Sequence, residues 1–300
     1  MQIPNEIDCA EPANKKLSEA ASPVDPQVGV NHHFESAALE WERIYHEATL
    51  YGRIYQDRTA IALQSIEQLR LPDTAHLLEI GCGAGFATAA LARRGYRVDA
   101  LDSVAAMIHL TSRRLAETGT AERVRIVRAD VRHLPMTNNS FDLVFALGVL
   151  PWLDDPLAAV REMARVTRPG GHVLLSADNN LHLDEILDPA RAPILKPVRR
   201  HLASALRAAK LLPPAPPWPK IQRHSRREVD SIISDAGLDK LWSVMVGFGP
   251  FTLFGKRVLP DSMGIKVHRL LQAAANRKLP IVSSYGMQNL VMSTKPARVQ

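Results

Sequence analysis

Glycines are concentrated between Glu79 and Phe86, in the segment Glu-Ile-Gly-Cys-Gly-Ala-Gly-Phe. An apolar run at 76–80 leads into this segment, and a helix-favouring run at 87–95 follows it. Glycine lets the backbone approach a ligand without interference from a Cβ atom. The first turn of a helix offers free N–H groups and the positive end of the helix dipole. The spacing therefore predicts a ligand-binding loop at the carboxyl edge of a parallel sheet.

Two classes of ligand compete for such a loop. A dinucleotide site needs Gly-x-Gly-x-x-Gly, in which the third glycine allows the helix to pack closely. Here Phe86 occupies that position, and the third glycine is Gly85, one residue earlier. This spacing disfavours a nicotinamide oxidoreductase. A nucleoside that carries an amino acid fits better, because it brings no pyrophosphate that the loop must hold.

Two aspartates follow at the ends of the next two predicted strands. Asp102 lies seventeen residues after Gly85, where its carboxylate can accept hydrogen bonds from both hydroxyls of a ribose. Asp130 can accept a hydrogen bond from an adenine amino group, and the backbone of Val131 is available beside it. Alternatively, both aspartates serve as helix N-caps or turn residues.

The elements that would position these residues alternate between short apolar runs and helical stretches. The predicted strands are 76–80, 96–102, 123–130, 141–147, 172–178, 240–248 and 287–294. Continuously apolar strands that alternate with helices indicate an α/β fold, with a parallel sheet covered by helices on both faces.

The flanking segments have different patterns. The predicted organisation is a disordered or loosely docked tail, an N-terminal helical cap, a binding core, an inserted lid after strand 5 and the C-terminal part of the core, at 1–33, 34–72, 73–180, 181–223 and 224–300. The tail has no apolar period, whereas the cap shows three-to-four spacing with a break at Gly52. The lid contains the proline-rich run 211–219, which interrupts the strand–helix rhythm.

Composition narrows the class of protein. Hydrophobic residues make up 46% of the chain and charged residues 23%, which is typical of soluble globular proteins. Cys9 and Cys82 lie far apart without metal-ligand spacing, so neither a disulfide framework nor a metal site is expected. No signal peptide and no apolar run of about 18 residues is present. A cytoplasmic location is therefore expected.

Five motifs in order resemble those of class I S-adenosylmethionine-dependent methyltransferases, in particular small-molecule enzymes of the type 11 kind. They are Glu79–Gly85, Asp102, Asp130, Phe141–Val144 and Arg168–Gly171. The resemblance covers about residues 76–178. It implies a Rossmann-like seven-stranded sheet whose last strand is antiparallel, and S-adenosylmethionine as the cofactor.

The resemblance also implies which residues contact the cofactor. The predicted set is Glu79, Gly81, Cys82, Gly83, Gly85, Asp102, Ser103, Asp130, Val131, Leu147, Gly148, Tyr55 and Arg58. Leu147 and Gly148 would lie near the amino group and the sulfonium of the methionine portion. In similar families an arginine on N-terminal helices reaches the cofactor carboxylate; Arg58 is the candidate here and Arg53 the alternative. Cys82 would be a small space-filling side chain.

For methyl transfer the protein mainly has to align the acceptor with the cofactor and to exclude water. A base is needed only when the acceptor is a hydroxyl or a protonated amine. The catalytic candidates are His182 and Asn179, which follow predicted strand 5 at the correct edge. Trp152 and Tyr51 are predicted to wall the acceptor pocket, although Trp152 could equally belong to the core.

Positive charge is concentrated in residues 191–228, which contain ten Lys or Arg residues and one acid, Glu228. The run 201–212 would form a basic amphipathic helix, which predicts peripheral contact with an anionic membrane. A solvated face, or a lid over a soluble molecule, explains the same charge equally well. RNA is disfavoured as a partner, because no RNA-binding module or aromatic single-strand motif accompanies the block.

The residues together predict an enzyme that transfers a methyl group from S-adenosylmethionine to a small, apolar or amphipathic acceptor, by O- or N-methylation. Two alternatives remain open at this stage. One is a catalytically idle cofactor-binding partner subunit. The other is an RNA methyltransferase that uses the basic block 191–228.

Overall fold

A computed structural model describes residues 25–211, 221–280 and 282–297 of the chain. Its main sheet contains β1 (His76–Ile80), β2 (Arg97–Asp102), β3 (Val124–Arg128), β4 (Phe141–Ala146), β5 (Thr167–Asp178), β6 (Asp239–Val246) and β7 (Gln288–Thr294). The order across the sheet is β3-β2-β1-β4-β5-β7-β6. The first five strands are parallel, and β7 lies antiparallel between β5 and β6. The predicted seven-stranded Rossmann-like sheet with an antiparallel last strand is confirmed.

Helices cover both faces of this sheet, which explains why the central strands are apolar throughout. In the described residues they are α1 (Pro26–Ile44), α2 (Leu50–Gln68), α3 (Phe86–Arg93), α4 (Ala105–Thr118), α5 (Pro156–Val166), α6 (Leu183–Leu187), α7 (Lys196–Ala208), α8 (Arg226–Asp235) and α9 (Asp261–Asn276). Apolar residues of α5 and α8 form the core on one face. Apolar residues of α2 and α3 form the core on the other.

The first helix begins earlier than predicted. Residues 26–33 were expected to belong to a tail, but α1 starts at Pro26, with Asp25 as an N-cap that accepts from the Gln27 N–H at 3.0 Å. A proline in the first helical position is already set for helix geometry. The polar side chains of the first two turns hide the apolar period there. Residues 1–24 of the predicted tail lie outside the described residues.

The helix α1 packs on α4 rather than directly on the sheet. Phe34, Ala38 and Trp41 contact Val104, Met107 and Leu110 in one apolar cluster. Glu42 on α1 pairs with Arg113 at 2.7 Å and with Arg114 at 2.9 Å. A small apolar contact and a charge cluster therefore hold α1 across the carboxyl edge of the sheet.

The break between the first two helices lies at residues 45–49 and not at Gly52. Gly52 is inside the first turn of α2, where its N–H donates to Thr49 Oγ1 at 3.1 Å. A Cβ at Gly52 would lie 2.7 Å from the Ile44 carbonyl oxygen. The glycine therefore allows the end of α1 to approach α2 closely, and it does not interrupt a helix.

The predicted lid after β5 contains α6 and α7 in its described part, and residues 212–220 lie outside the described residues. A short hairpin, Thr252–Leu253 with Lys256–Arg257, follows β6 and was not predicted. No helix in the described ranges is both long and apolar enough to cross a bilayer.

If the Glu42 ion pairs hold α1 in place, Glu42→Gln should loosen that helix. We expect amide hydrogen exchange in α1 to become about fivefold faster, because partly exposed ion pairs contribute up to about 1 kcal/mol. Exchange measured by mass spectrometry checks this. Glu40→Gln, on an exposed position of the same helix, is the matched control. Equal exchange in the two variants would contradict the assignment.

Candidate functional site

A cavity of about 460 Å³ lies at the carboxyl edge of the sheet. The glycine loop and the ends of β2 and β4 form its floor, and α1 and α2 close it from above. Its volume is in the range of small-molecule and cofactor sites. The predicted edge of the sheet is therefore where the structure has a ligand-sized cavity.

The glycine loop adopts a backbone that side chains disfavour. Gly81, Gly83 and Gly85 have φ angles of 68°, 54° and 74°. A Cβ on Gly81 would lie 2.4 Å from Val149 Cγ2, and one on Gly85 would lie 3.1 Å from Thr111. Both the left-handed φ values and the close packing therefore require glycine here. Cys82 is buried within the loop, 3.4 Å from Thr111 Oγ1, as expected of a space-filling residue.

Asp102 braces the loop from the end of β2. One carboxylate oxygen accepts from the Gly83 N–H at 3.0 Å, and the other accepts from the Val104 N–H at 3.0 Å. Burial raises the pKa of Asp102, and these backbone donors oppose the rise. The carboxylate also lines the cavity. Each oxygen has a second lone-pair direction, which is what two vicinal hydroxyls require.

Glu79 lies buried beneath the loop at the end of β1. Its carboxylate accepts from the Thr88 hydroxyl. Burial and the nearby Asp102 carboxylate together raise the pKa of Glu79 to about 8, against the opposing hydrogen bond from Thr88. Two carboxyl groups with raised pKa values therefore lie on the floor of the cavity.

Arg58 brings a buried guanidinium into the same cavity. It is 3% exposed and forms no ion pair with any described residue. It donates to the Tyr45 hydroxyl at 2.7 Å and to Gln288 Oε1 at 3.4 Å, while its Nε has no partner among the described residues. Arg53, the alternative, pairs with Asp57 at 2.7 Å and does not line the cavity.

The tip of β4 lies against this guanidinium. Gly148 has a φ of 79°, and a Cβ there would lie 2.7 Å from Arg58 Nη1. The Gly148 N–H donates to Ser176 Oγ at 2.7 Å. Leu147 lines the cavity beside it. The absence of a side chain at Gly148 thus lets the strand tip and the buried cation share one space.

Asp130 and Val131 line the other end of the cavity. Arg132 donates from Nε to both Asp130 oxygens, at 3.1 and 3.0 Å, and pairs with Asp25 at 2.9 Å. The Asp130 carboxylate also accepts from the Arg132 N–H at 2.8 Å, which is a turn-stabilising bond. Asp130 thus combines a turn role with a position on the cavity wall.

The first turns of α1 also line the cavity, which the sequence did not indicate. Gln27, Val30 and Asn31 face it, and Asn31 Oδ1 accepts from the Ser103 hydroxyl at 3.0 Å. The one available signal was the Asp-Pro pair that starts the helix. Together with the Asp25–Arg132 pair, this contact fixes α1 over the end of the cavity that Asp130 lines.

Aromatic rings also line the cavity. Trp152 packs against Phe34 and Trp41, with ring centroids 4.9 and 6.3 Å away. Tyr51 and Tyr55 share a hydrogen bond of 2.9 Å between their hydroxyls. All of these rings line the cavity. Trp152 is therefore a wall residue that α1 covers, and not a residue of the sheet core.

The predicted catalytic candidates separate in the structure. His182 lines the cavity and is buried, and its Nε2 has no hydrogen-bond partner in the described part of the chain. Burial lowers the pKa of His182 to about 4, and the nearby Arg223 cation adds to the effect. The imidazole is therefore neutral at physiological pH and free to accept a proton.

Asn179 does not line the cavity. Its side-chain amide donates to the carbonyl oxygens of Leu181, Ser284 and Gly286 at 2.7, 3.0 and 2.9 Å. These bonds tie the end of β5 to the loop before β7, so its amide donors are fully used. Asn179 is therefore a structural residue, which corrects the prediction that it is catalytic. Asp178, the neighbouring residue at the end of β5, lines the cavity and accepts from Gln288 Nε2 at 2.9 Å.

Comparison with known proteins agrees with this geometry. Residues 78–175 match a family model described as a methyltransferase domain. Residues 78–175 therefore form a class I S-adenosylmethionine-dependent methyltransferase domain. The predicted family and S-adenosylmethionine as its cofactor are confirmed for this domain. The glycine loop, Asp102 and the unpaired Arg58 fit an adenosyl group attached to an amino acid.

Curated relatives match over part of their length. A malonyl-acyl-carrier-protein O-methyltransferase of Halorhodospira halophila is 37% identical over 150 residues, which is 49% of this chain and 47% of the relative. A demethylmenaquinone methyltransferase of Lactiplantibacillus plantarum is 36% identical over 117 residues, 37% of this chain and 48% of the relative. The chain thus spans about half the length of these relatives.

Solved structures share the fold. Magnesium protoporphyrin IX methyltransferase from Synechocystis PCC 6803, with bound SAH, has a TM-score of 0.60 at 15% identity, covering 90% of this chain and 100% of that one. The (4+2)-cyclase SpnF has a TM-score of 0.58 at 16% identity, covering 93% and 98%. At such low identity these similarities concern the fold alone. One of these proteins is a cyclase, so the fold does not by itself determine the reaction.

The raised pKa of Glu79 predicts a pH-dependent stability. The folded protein holds a proton on Glu79 up to about pH 8, whereas the unfolded chain releases it near pH 4.3. Folding is therefore favoured at low pH, and this contribution is lost as the pH rises through 8, with a slope of up to about 1.4 kcal/mol per pH unit. Glu79→Gln should flatten that slope.

Denaturant unfolding between pH 5 and 8 measures the effect. The free energy of unfolding of Glu79→Gln relative to the unmodified protein should rise across this range. Glu122→Gln, on an exposed position, is the control and should leave the slope unchanged. A constant difference between Glu79→Gln and the unmodified protein would contradict a protonated Glu79.

Proposed function

We propose that this protein transfers the methyl group of S-adenosylmethionine to a small, apolar or amphipathic acceptor, by O- or N-methylation. One observation carries the proposal. A single cavity is lined by the residues suited to the cofactor, Asp102 and Arg58, and also by aromatic rings and the neutral His182. Cofactor and acceptor would therefore meet in one cavity.

A few residues of the cavity would bind the cofactor. Asp102 would accept hydrogen bonds from the ribose hydroxyls, and Asp130 and Val131 would contact the adenine. Arg58 would pair bidentately with the carboxylate of the methionine portion. The Arg58 Nε has no partner among the described residues, so a bound carboxylate would supply the acceptor that this buried donor lacks. Gly148 and Leu147 would then lie near the reacting end.

The acceptor half is suited to an apolar molecule with one polar reacting group. Trp152, Phe34, Trp41 and Tyr55 offer ring faces and edges, which favour flat or extended apolar groups. Polar side chains line the same cavity, among them Asp178, His182 and Arg223. The combination of rings and polar groups supports an amphipathic acceptor.

The chain's own residues supply alignment, exclusion of water and proton handling. S-adenosylmethionine, when bound, supplies a methyl group on a positively charged sulfur. The helix α1 covers part of the cavity and would limit the access of water, which strengthens the electrostatic interactions within it. His182 Nε2 would accept the proton that a hydroxyl acceptor loses. An amine acceptor that enters neutral would need no base.

The relatives differ in the acceptors that they methylate. They include an O-methyltransferase that acts on a malonyl-acyl-carrier protein and a sterol 4-C-methyltransferase. The side chains of the cavity are therefore the better guide to the class of acceptor. Contact with an anionic membrane forms part of the proposal, because an apolar acceptor partitions into lipid and the segment 191–228 is basic.

The proposal is tested by a transfer assay. The purified chain is incubated with isotopically methyl-labelled S-adenosylmethionine and a panel of phenolic, quinone-like and amine acceptors, and mass spectrometry follows the label. Labelled acceptor supports the proposal. Tight cofactor binding without transfer to any acceptor class would support a catalytically idle partner subunit instead, and transfer to RNA alone would support the RNA alternative.

Replacing Asp102 should weaken cofactor binding. We expect Asp102→Ala to raise the Kd for S-adenosylmethionine by at least about 100-fold, because two hydrogen bonds to a charged acceptor are lost. Calorimetric titration measures this, and thermal unfolding confirms that the variant is folded. Asp142→Ala is the matched control, since Asp142 accepts from the His76 N–H at 2.8 Å at the opposite edge of the sheet. A similar Kd for both variants would place the ribose elsewhere.

Replacing His182 should slow O-methylation without weakening cofactor binding. We expect kcat for a hydroxyl acceptor to fall about 100-fold or more in His182→Gln. In the unmodified protein kcat should fall as the pH drops towards 4, where the imidazole gains a proton, and this fall should be absent in the variant. His109→Gln, on an exposed position, is the control. An unchanged kcat would remove His182 from the reaction.

A further inference from the structure

Exposed apolar side chains cluster on one side of the lid. We use the term lid surface for Leu187, Ile194, Val198, Leu202 and Phe254, each of which is more than half exposed. Ile194 is the extreme case at 85% exposed. Single exposed apolar residues are ordinary, but a group of large ones marks a surface that meets another apolar phase.

The helix α7 presents an apolar stripe to the outside. Val198, Leu202, Ala205 and Ala209 follow one another at intervals of four, three and four residues, so they share one face, and all four are exposed. The less exposed residues Arg199, Ala203 and Leu206 lie on another face, towards the protein. The apolar stripe is therefore not the side by which α7 attaches to the rest of the chain.

The hairpin after β6 adds a protruding aromatic ring. Phe254 lies at its turn with a φ of 48°, and its side chain is 69% exposed. A left-handed conformation is unfavourable for a bulky residue, and asparagine, aspartate or glycine is usual there. The ring gains no compensating burial within the described chain. An apolar environment outside the protein would supply it.

Hydrogen bonds bring these elements together. Asp188, buried just after α6, accepts from Thr252 Oγ1 at 2.7 Å and from the Gly255 N–H at 2.9 Å in the hairpin. It also accepts from the Ala190 N–H at 2.9 Å. Arg199 of α7 donates to the carbonyl oxygens of Ala190 and Arg191. The end of α6, the start of α7 and the hairpin are thus parts of one surface.

Basic side chains accompany the apolar ones. Lys256 stands in the hairpin close to Phe254, and Lys210 follows α7; both are exposed. Arg200 lies two residues from Val198 and from Leu202, so it is on the opposite face of α7. Among described residues, α7 carries no acidic side chain. Positive charge beside an apolar stripe is complementary to an anionic lipid surface, which offers phosphate groups above an acyl phase. An acidic soluble protein would satisfy the charge but not the apolar stripe.

The lid surface adjoins the acceptor half of the cavity. His182 lines the cavity and is the residue before α6. Arg223, also on the cavity wall, donates to Glu185 of α6 at 2.8 Å. Ile221 lines the cavity and is 44% exposed. A surface that contacts lipid here would lie next to a passage for a lipid-soluble molecule.

We propose that the lid surface docks on an anionic bilayer, with α7 lying in the plane of the interface and Phe254 inserted beside it. Docking would present the cavity to an acceptor dissolved in the membrane, and that part of the inference rests on the proposed methyl transfer. The docking itself requires no cofactor and no acceptor.

Vesicle flotation tests the docking directly. The full chain, without cofactor or acceptor, is mixed with vesicles of phosphatidylcholine alone or with about one third phosphatidylglycerol, at low and high salt. We expect binding to the anionic vesicles at low salt and much weaker binding at high salt. The double variant Lys210→Gln, Lys256→Gln should bind about 25-fold more weakly, at about fivefold per charge removed. Arg269→Gln, Lys278→Gln is the control, with the same loss of charge on and after α9.

The apolar contribution is tested separately. Phe254→Asp, which suits the left-handed backbone, and Leu202→Asp should each reduce binding about tenfold or more. Leu39→Asp, at a residue that is 68% exposed on α1, is the control. Absence of binding to anionic vesicles overturns the proposal, as does binding that neither lid variant reduces. A dimer in sedimentation equilibrium that Leu202→Asp dissociates would also overturn it, by making this surface an interface between two copies.

The two proposals fail in different ways. Vesicle binding without any methyl transfer would support the lid surface and remove the proposed reaction. Methyl transfer without vesicle binding would support the reaction and remove the lid surface.

Discussion

A buried guanidinium with an unsatisfied donor is the constraint around which the site is organised. Arg58 is almost fully removed from solvent, and among described residues it has hydrogen bonds to Tyr45 and Gln288 but no carboxylate within ion-pair distance. Burial lowers the pKa of Arg58, but the neighbouring tyrosines and the Asp178 carboxylate raise it overall, so the charge is retained. Its Nε has no partner among the described residues, and a buried donor without an acceptor is costly. A bound carboxylate would supply that acceptor. That requirement accounts for the glycine at the tip of β4 and for the closeness of α2 to the sheet edge.

The sheet, the N-terminal helices and the lid segment all contribute to the cavity that contains Arg58. The parallel sheet brings the ends of β1, β2 and β4 to one edge and so sets Glu79, Asp102 and Gly148 on the floor of the cavity. The helix α2 supplies Arg58, and α1 closes the cavity by packing on α4. The lid segment adds His182 from the far side. The cavity therefore depends on contacts between elements that are distant in sequence.

The sheet could be predicted from the sequence because its determinants are local. Each strand is a short apolar run, the glycine spacing selects the loop, and the aspartates stand at strand ends. The start of α1 and the role of Asn179 could not be predicted in this way. The first turns of α1 are polar because they face the cavity and a polar rim, so no apolar period marks them. Asn179 resembles a catalytic amide in sequence, and only its three carbonyl partners, two of them more than 100 residues away, identify it as structural.

The central claim is that Arg58 binds the carboxylate of the cofactor. A calorimetric double-mutant cycle tests it, with S-adenosylhomocysteine and its decarboxylated analogue titrated into the unmodified protein and into Arg58→Gln. The unmodified protein should prefer the intact ligand by about 10- to 100-fold, since a charge-assisted hydrogen-bonded pair contributes about 1.5–3 kcal/mol. Arg58→Gln should bind both ligands with similar affinity. An equal preference for the intact ligand in both proteins would contradict the account, because the carboxylate would then be held by another group.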